Sequence, residues 1–152
     1  MPLNGFTPNT KIESAKVGAN FTNFQNHGLN FCKQFIFAGT LAVQTGTDYI
    51  SLPDTAQITR VDLIVTANPV GATIIVDIEY SDDNGGSWTT VFTGGTNRPL
   101  IADGSKTGNT TTIDVPSVVK NTRLYRAKVA QVGSTTAGSN LSILMKGTYT
   151  LD

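Results

Sequence analysis

From Phe31 onward the apolar residues of this chain recur with a period of two, in run after run, and that leaves room for little except strands. The runs are FCKQFIF, TLAVQ, DYISL, ITRVDLIVTA, TIIVDIEY, WTTVF, TTTIDV, RLYRAKVAQV and LSILMKGTYT. They are rich in β-branched and aromatic residues, whose side chains suit a pleated, half-buried surface. In ITRVDLIVTA, Thr59, Val61, Leu63 and Val65 fall on one face and Arg60 and Asp62 on the other. In RLYRAKVAQV, Tyr125, Ala127 and Val129 fall together, opposite Arg126 and Lys128. Strands with one wet face pair antiparallel, because parallel sheets are covered on both sides. The expectation is an all-β fold, an antiparallel β-sandwich of jelly-roll type.

Turn residues separate the runs: Pro53 with Asp54, Asn68 with Pro69, Asn84-Gly85-Gly86, Gly94 with Gly95, and Asp103 with Gly104. The stretch 93–109 is long enough to cross from one sheet to the other. No internal repeat is evident, which argues against a propeller or solenoid.

The first thirty residues differ. MPLNGFTPNTK, with two prolines and a glycine, reads as an extended arm. In ESAKVGANFTNFQNHG, Ser14 serves as an N-cap, Val17, Phe21 and Phe24 fall at i, i+4 and i+7, and Gly28 supplies a stop. That predicts a short amphipathic helix, weakened by Gly18 in its interior. So short a helix is marginal alone in water, and its aromatic stripe needs a surface, either its own domain or a partner subunit. The expected division is an arm with a short helix over residues 1–30 and a β-sandwich domain over 31–152.

With 152 residues the chain suits one domain plus an arm. Only 14% of residues are charged and the net charge is zero, so no field draws nucleic acid or an anionic membrane. So little charge suits a chain that lives in an assembly. MPLNGFTPNT has neither the basic nor the apolar region of a signal peptide, and no apolar run approaches the roughly 20 residues of a membrane helix. Synthesis in a cytoplasm is expected, and the sequons at Asn20, Asn109 and Asn140 then carry no meaning.

The densest acidic stretch is SDDNGGSW, between two strand-like runs where a hairpin tip belongs. Asp82 and Asp83 are adjacent, so they point opposite ways in extended chain and make no facing carboxylate pair. No glutamate closes the stretch as in a calcium loop. The spacing of Ser81, Asp83, Gly85 and Trp88 resembles an Asp-box, a structural hairpin in which the Asp accepts backbone N–H bonds, the Gly takes positive φ and the aromatic packs beneath.

Nothing else assembles into a catalytic group. The single histidine, His27, lies in the arm, far from any nucleophile elbow. The single cysteine, Cys32, rules out an internal disulfide and reads as a buried strand residue. No ligand set for zinc is present. GSKTG lacks the spacing and following helix of a phosphate loop. Lys120, Arg123, Arg126 and Lys128 alternate with apolar residues and read as a solvated sheet face. Trp88 and Tyr49 are the rings a sugar would use, Trp88 being already engaged by the hairpin. No enzyme activity, cofactor or metal is expected.

Four stretches carry a likeness to known proteins: GTLAVQTG, ITRVDLIVTANPVGATIIVDI, TNRPLIADG with Arg98 and Pro99, and VAQVGSTTAGSNLSI. In this order they resemble a β-sandwich module of tail, fibre and decoration proteins of tailed bacteriophages. NTKIESAKVGANF is similar to the N-terminal segment of phage fibre proteins, with Gly18 where those segments usually carry Asn. The resemblance implies a virion structural protein, usually homotrimeric, made in the host bacterial cytoplasm and placed on the virion surface. A short arm and one compact head imply a capsid decoration (cement) or short head-fibre protein, bound to the major capsid protein or another virion protein. Phe6, Ile12, Val17, Phe21 and Phe24 would anchor the arm. The alternative is a tail-associated receptor-binding module recognising host-surface glycan, with exposed rings among residues 45–50, 84–96 and 103–109.

Overall fold

The structure, a computed structural model, describes residues 30–53, 55–118 and 122–149. The arm, its helix with all five anchor residues, His27 and Lys120 lie outside the described residues. Ten strands follow in chain order: β1 (Asn30–Thr40), β2 (Gln44–Thr45), β3 (Ile50–Ser51), β4 (Ala56–Ile64), β5 (Ile74–Ser81), β6 (Thr89–Thr90), β7 (Leu100–Ile101), β8 (Thr107–Thr110), β9 (Leu124–Gln131) and β10 (Ser139–Tyr149). Among the described residues a 3-10 turn at Thr93–Gly95 interrupts them.

All pairings are antiparallel, and one ladder runs β1-β10-β4-β8-β7-β5-β9-β2, with β3 also beside β9 and β6 beside β5. The ladder curls into two facing layers. Phe35, Val61, Leu63, Ile143 and Met145 from the β1-β10-β4 layer share one core with Ile74, Val76, Ile78, Tyr125, Ala127 and Val129 from the β5-β9 layer. This is the antiparallel sandwich that the period-two runs call for. At one end β1 pairs only with β10 among the described strands.

The passage between layers lies in the long stretch from 93 to 109, as its length suggests. β7 pairs with β5, β8 pairs with β4, and β7 meets β8 through one residue pair, Ile101 with Gly108. A Cβ on Gly108 would collide with the Leu100 carbonyl. Only glycine lets the two backbones approach this closely.

Two sequence expectations change here. Between β10 and β4 the register jumps, Lys146 facing Arg60 and Gly147 facing Ile58, so Thr59 is the extra residue of a bulge. Ile58 and Val61 are both buried, while Thr59 is exposed and does not share a face with Val61, Leu63 and Val65. Cys32 is exposed, not buried. It alternates with the buried Phe31 and lies opposite Lys146 on the outer face.

The stretch 129–143 forms a joint. The Val70 N–H donates to the Thr136 carbonyl (2.9 Å) and the Thr135 N–H to the Val70 carbonyl (2.9 Å). Asn140, at φ +51°, accepts from the Gly39 N–H (2.8 Å) and donates to Thr66 Oγ1 (2.9 Å), tying three segments together.

Gly108→Ala should lower the urea midpoint by the equivalent of about 3 kcal/mol or more, because the carbonyl in the way belongs to the backbone. Gly104→Ala, at positive φ but with open space around it, should cost about 1–2 kcal/mol from backbone strain alone. Equal costs at the two positions would mean that the crossing does not depend on close approach.

Candidate functional site

The acidic stretch turns the chain between β5 and β6. Ser81, almost fully buried at the end of β5, accepts from the Gly85 N–H (2.8 Å) and donates to Asp83 Oδ1 (2.7 Å). Asp83 accepts the Ser87 N–H (2.8 Å) on Oδ1 and the Ser87 hydroxyl (2.7 Å) on Oδ2. Asn84 and Gly85 take positive φ, and Trp88 Nε1 donates to the Gly85 carbonyl (3.1 Å). Hydrogen bonds from Ser81, then from Ser87, hold the Asp83 carboxyl well below the usual carboxylate range. Its oxygens are occupied inside the turn.

The neighbouring Asp82 turns elsewhere. Its two oxygens accept from Arg123 Nε (2.7 Å) and Nη2 (2.8 Å). Arg123 is only 3% exposed, donates to the Ser117 carbonyl (3.2 Å), and lies 4.0 Å from the Tyr80 ring centroid. The expectation of a solvated basic face therefore fails at Arg123. It shares the inward side of its chain with Tyr125 and closes one end of the core, its charge met by Asp82 and a ring face. Tyr125 is itself fully buried.

Arg126 and Lys128 do face outward, beside a group that the sequence does not bring together. Tyr49, 56% exposed, stacks on Trp88 with centroids 5.4 Å apart and planes 25° apart. The Arg126 guanidinium lies 4.0 Å from the Trp88 ring centroid. Nε and Nη2 of Arg126 both reach Glu79 Oε2 at 2.7 Å, and Lys128 Nζ lies 3.8 Å from Oε1. The strand order builds this group. Glu79 on β5 faces Arg126 on β9, and Ile50 on β3 faces Tyr125, which sets Tyr49 beside Arg126. Residues 39 apart in the chain meet because a two-residue strand pairs with β9, and no local pattern announces such a pairing.

A cleft of about 250 Å³ opens between β1 and residues 44–48, lined by Phe35, Ile36, Gln44, Thr45, Thr47 and Asp48. Across the outer face of the other layer, Ile36, Ser142 and Ile64 form a row, with Leu144 in the next. Ile36 and Ile64 are 59% and 45% exposed. Beside them Asp62 accepts from Lys146 and Arg60. Burial works to raise the Asp62 carboxyl, but these two partners outweigh it and hold it low. Among the described residues no three His, Cys, Asp or Glu side chains are placed to hold a metal ion, and no helix is long and apolar enough to cross a membrane.

Asp83→Ala should lower stability at neutral pH, with the gap to wild type narrowing in acid. A carboxyl lowered on folding stabilises fully above its unfolded value, about 3.9, and that contribution fades as pH falls toward the folded value. Urea midpoints taken from pH 7 to 2 would show it. A gap independent of pH would mean that the carboxylate charge is not what holds the turn.

No family model matches the chain, and neither does any curated protein. Among solved structures, it is similar to a chain of the capsid of Ralstonia phage GP4, with a TM-score of 0.49 and 20% identity over 82% of this chain and 87% of that one. It is also similar to a chain of the capsid asymmetric unit of cyanophage Pam1, with a TM-score of 0.38 and 14% identity over 99% and 100%.

Proposed function

We propose that this chain is a virion structural protein of a tailed bacteriophage, a trimeric capsid decoration (cement) or short head-fibre protein that attaches through its N-terminal arm and reinforces the capsid. The reading begins from the four stretches that resemble the phage sandwich module. In the fold they hold the structural joints. TNRPLIADG carries the crossing between layers, and VAQVGSTTAGSNLSI carries the loop that locks residues 66–71 and Gly39.

The observation that carries the assembly role is the outer face of the β1-β10-β4 layer. Ile36, Ile64 and Leu144 lie together there, on the layer into which the first 29 residues lead. Contiguous apolar surface with a charged margin (here Asp62, Arg60 and Lys146) is what a protein partner covers. An arm ordered on a partner spends conformational entropy, and three arms on one trimer recover affinity through avidity. Phe6, Ile12, Val17, Phe21 and Phe24 are the proposed anchors.

The test is co-sedimentation with phage heads stripped of surface proteins, using the full chain, a form lacking residues 1–30, and Phe21→Ala with Phe24→Ala. The full chain should pellet with heads and the truncated form should stay in solution. The double variant should bind more than about tenfold more weakly, since buried aromatics dominate interface energies. Binding that survives removal of the arm would defeat the attachment mode. A monomer in analytical ultracentrifugation, both free and recovered from heads, would defeat the trimer.

A further inference from the structure

We infer that Tyr49, backed by Trp88, is the stacking platform of a binding site for an uncharged pyranose oligosaccharide. An exposed tyrosine ring alone would be mobile and would lose freedom on binding. Here it lies on Trp88, Trp88 is tied by Nε1 to the Gly85 carbonyl, and Arg126 lies against Trp88 with its own guanidinium held by Glu79. The stack is therefore set before a ligand arrives, which lowers the entropic cost of binding. Such a surface suits the flat C–H face of a pyranose, whose weakly positive hydrogens meet the negative face of an aromatic ring.

The polar groups around the ring match the rest of a sugar. Lys128 and Glu79 are too far apart for a hydrogen bond with each other, at 3.8 Å, and the Lys128 side chain is 41% exposed. The cleft beside β1 reaches Asp48, the residue before Tyr49, and counts the polar residues Gln44, Thr45, Thr47 and Asp48 in its lining. That gives a second sugar unit somewhere to lie. The charges decide the class of ligand. Arg126 and Lys128 are balanced by Glu79 and Asp48, so the site has no net field for an acidic sugar or a nucleic-acid backbone.

Trp88 is the only tryptophan in the chain, so intrinsic fluorescence reports from inside the site. The full-length protein would be titrated with cellotetraose, maltotetraose and chitotetraose to about 10 mM, enough to bring a site of about 1 mM Kd near saturation. 3′-Sialyllactose and a thymidine oligonucleotide serve as charged probes. At least one neutral tetrasaccharide should give a saturable change in emission. Tyr49→Ala should weaken it by more than about tenfold, or about 1.4 kcal/mol, and Tyr49→Phe should retain it. Far-ultraviolet circular dichroism would establish that both variants fold. Silence toward all three neutral sugars, equal binding by Tyr49→Ala, or a response confined to the charged probes would overturn the inference. Attachment to stripped heads by Tyr49→Ala keeps this result separate from the virion reading, which needs the arm and not this ring.

Discussion

The two layers of this sandwich are one continuous ladder, and the ladder passes between them through the pairing of Ile101 with Gly108. Every inward side chain depends on that corner, since the core exists only if β4 and β5 lie in different layers facing each other. The corner is held from both sides. The Val76 N–H donates to the Pro99 carbonyl (3.1 Å), and Arg98 Nη2 reaches the Asp77 carboxylate (2.7 Å) on β5. Asp77 is nearly fully buried, and burial pushes its carboxyl up, while the Thr90 hydroxyl and Arg98 restrain that rise. Removing one partner of such a pair leaves an uncompensated charge in a place that water cannot reach. The crossing segment is thus fastened by a charge as well as by close backbone contact.

The same use of charge recurs across the molecule. Asp82 holds Arg123 at the end of the core, Glu79 orients Arg126 and approaches Lys128, and Asp62 gathers Arg60 and Lys146. Most of these ions have an opposite charge beside them, so few are left to generate a field at a distance. The surface then speaks through shape and apolar area.

The fold was legible wherever period-two alternation ran unbroken. Tyr125, Ala127 and Val129 alternate with Arg126 and Lys128 as their spacing requires, and the long stretch after residue 93 does cross between layers. Thr59 was misplaced because a bulge adds one residue and reverses the parity on either side of it, which no count of alternation reveals. Cys32 was misplaced for a simpler reason. Its neighbours are apolar, but it has the parity of Gln34 and Ile36, on the face opposite Phe31, Phe35 and Phe37. Arg123 looked like one more charge in a basic run, yet it has the parity of Tyr125 and points inward. The pairing of Tyr49 with Trp88 was out of reach, because it follows from the contact of β3 with β9 and not from any local preference.

Among the described strands β1 ends the ladder, an eleven-residue strand paired only with β10 and carrying a single charge, Lys33. The strand extends over about 36 Å at 3.3 Å per residue. Few devices that keep lone subunits from zipping together edge to edge are present there, no proline and only one lysine. An edge of this kind is a kinetic hazard wherever nothing covers it. Rapid synthesis raises the concentration of such edges, and strand-on-strand growth rises more steeply with concentration than subunit folding, which does not depend on it at all. Yield of usable protein is then set by how much chain is present at once as much as by the stability of the sandwich.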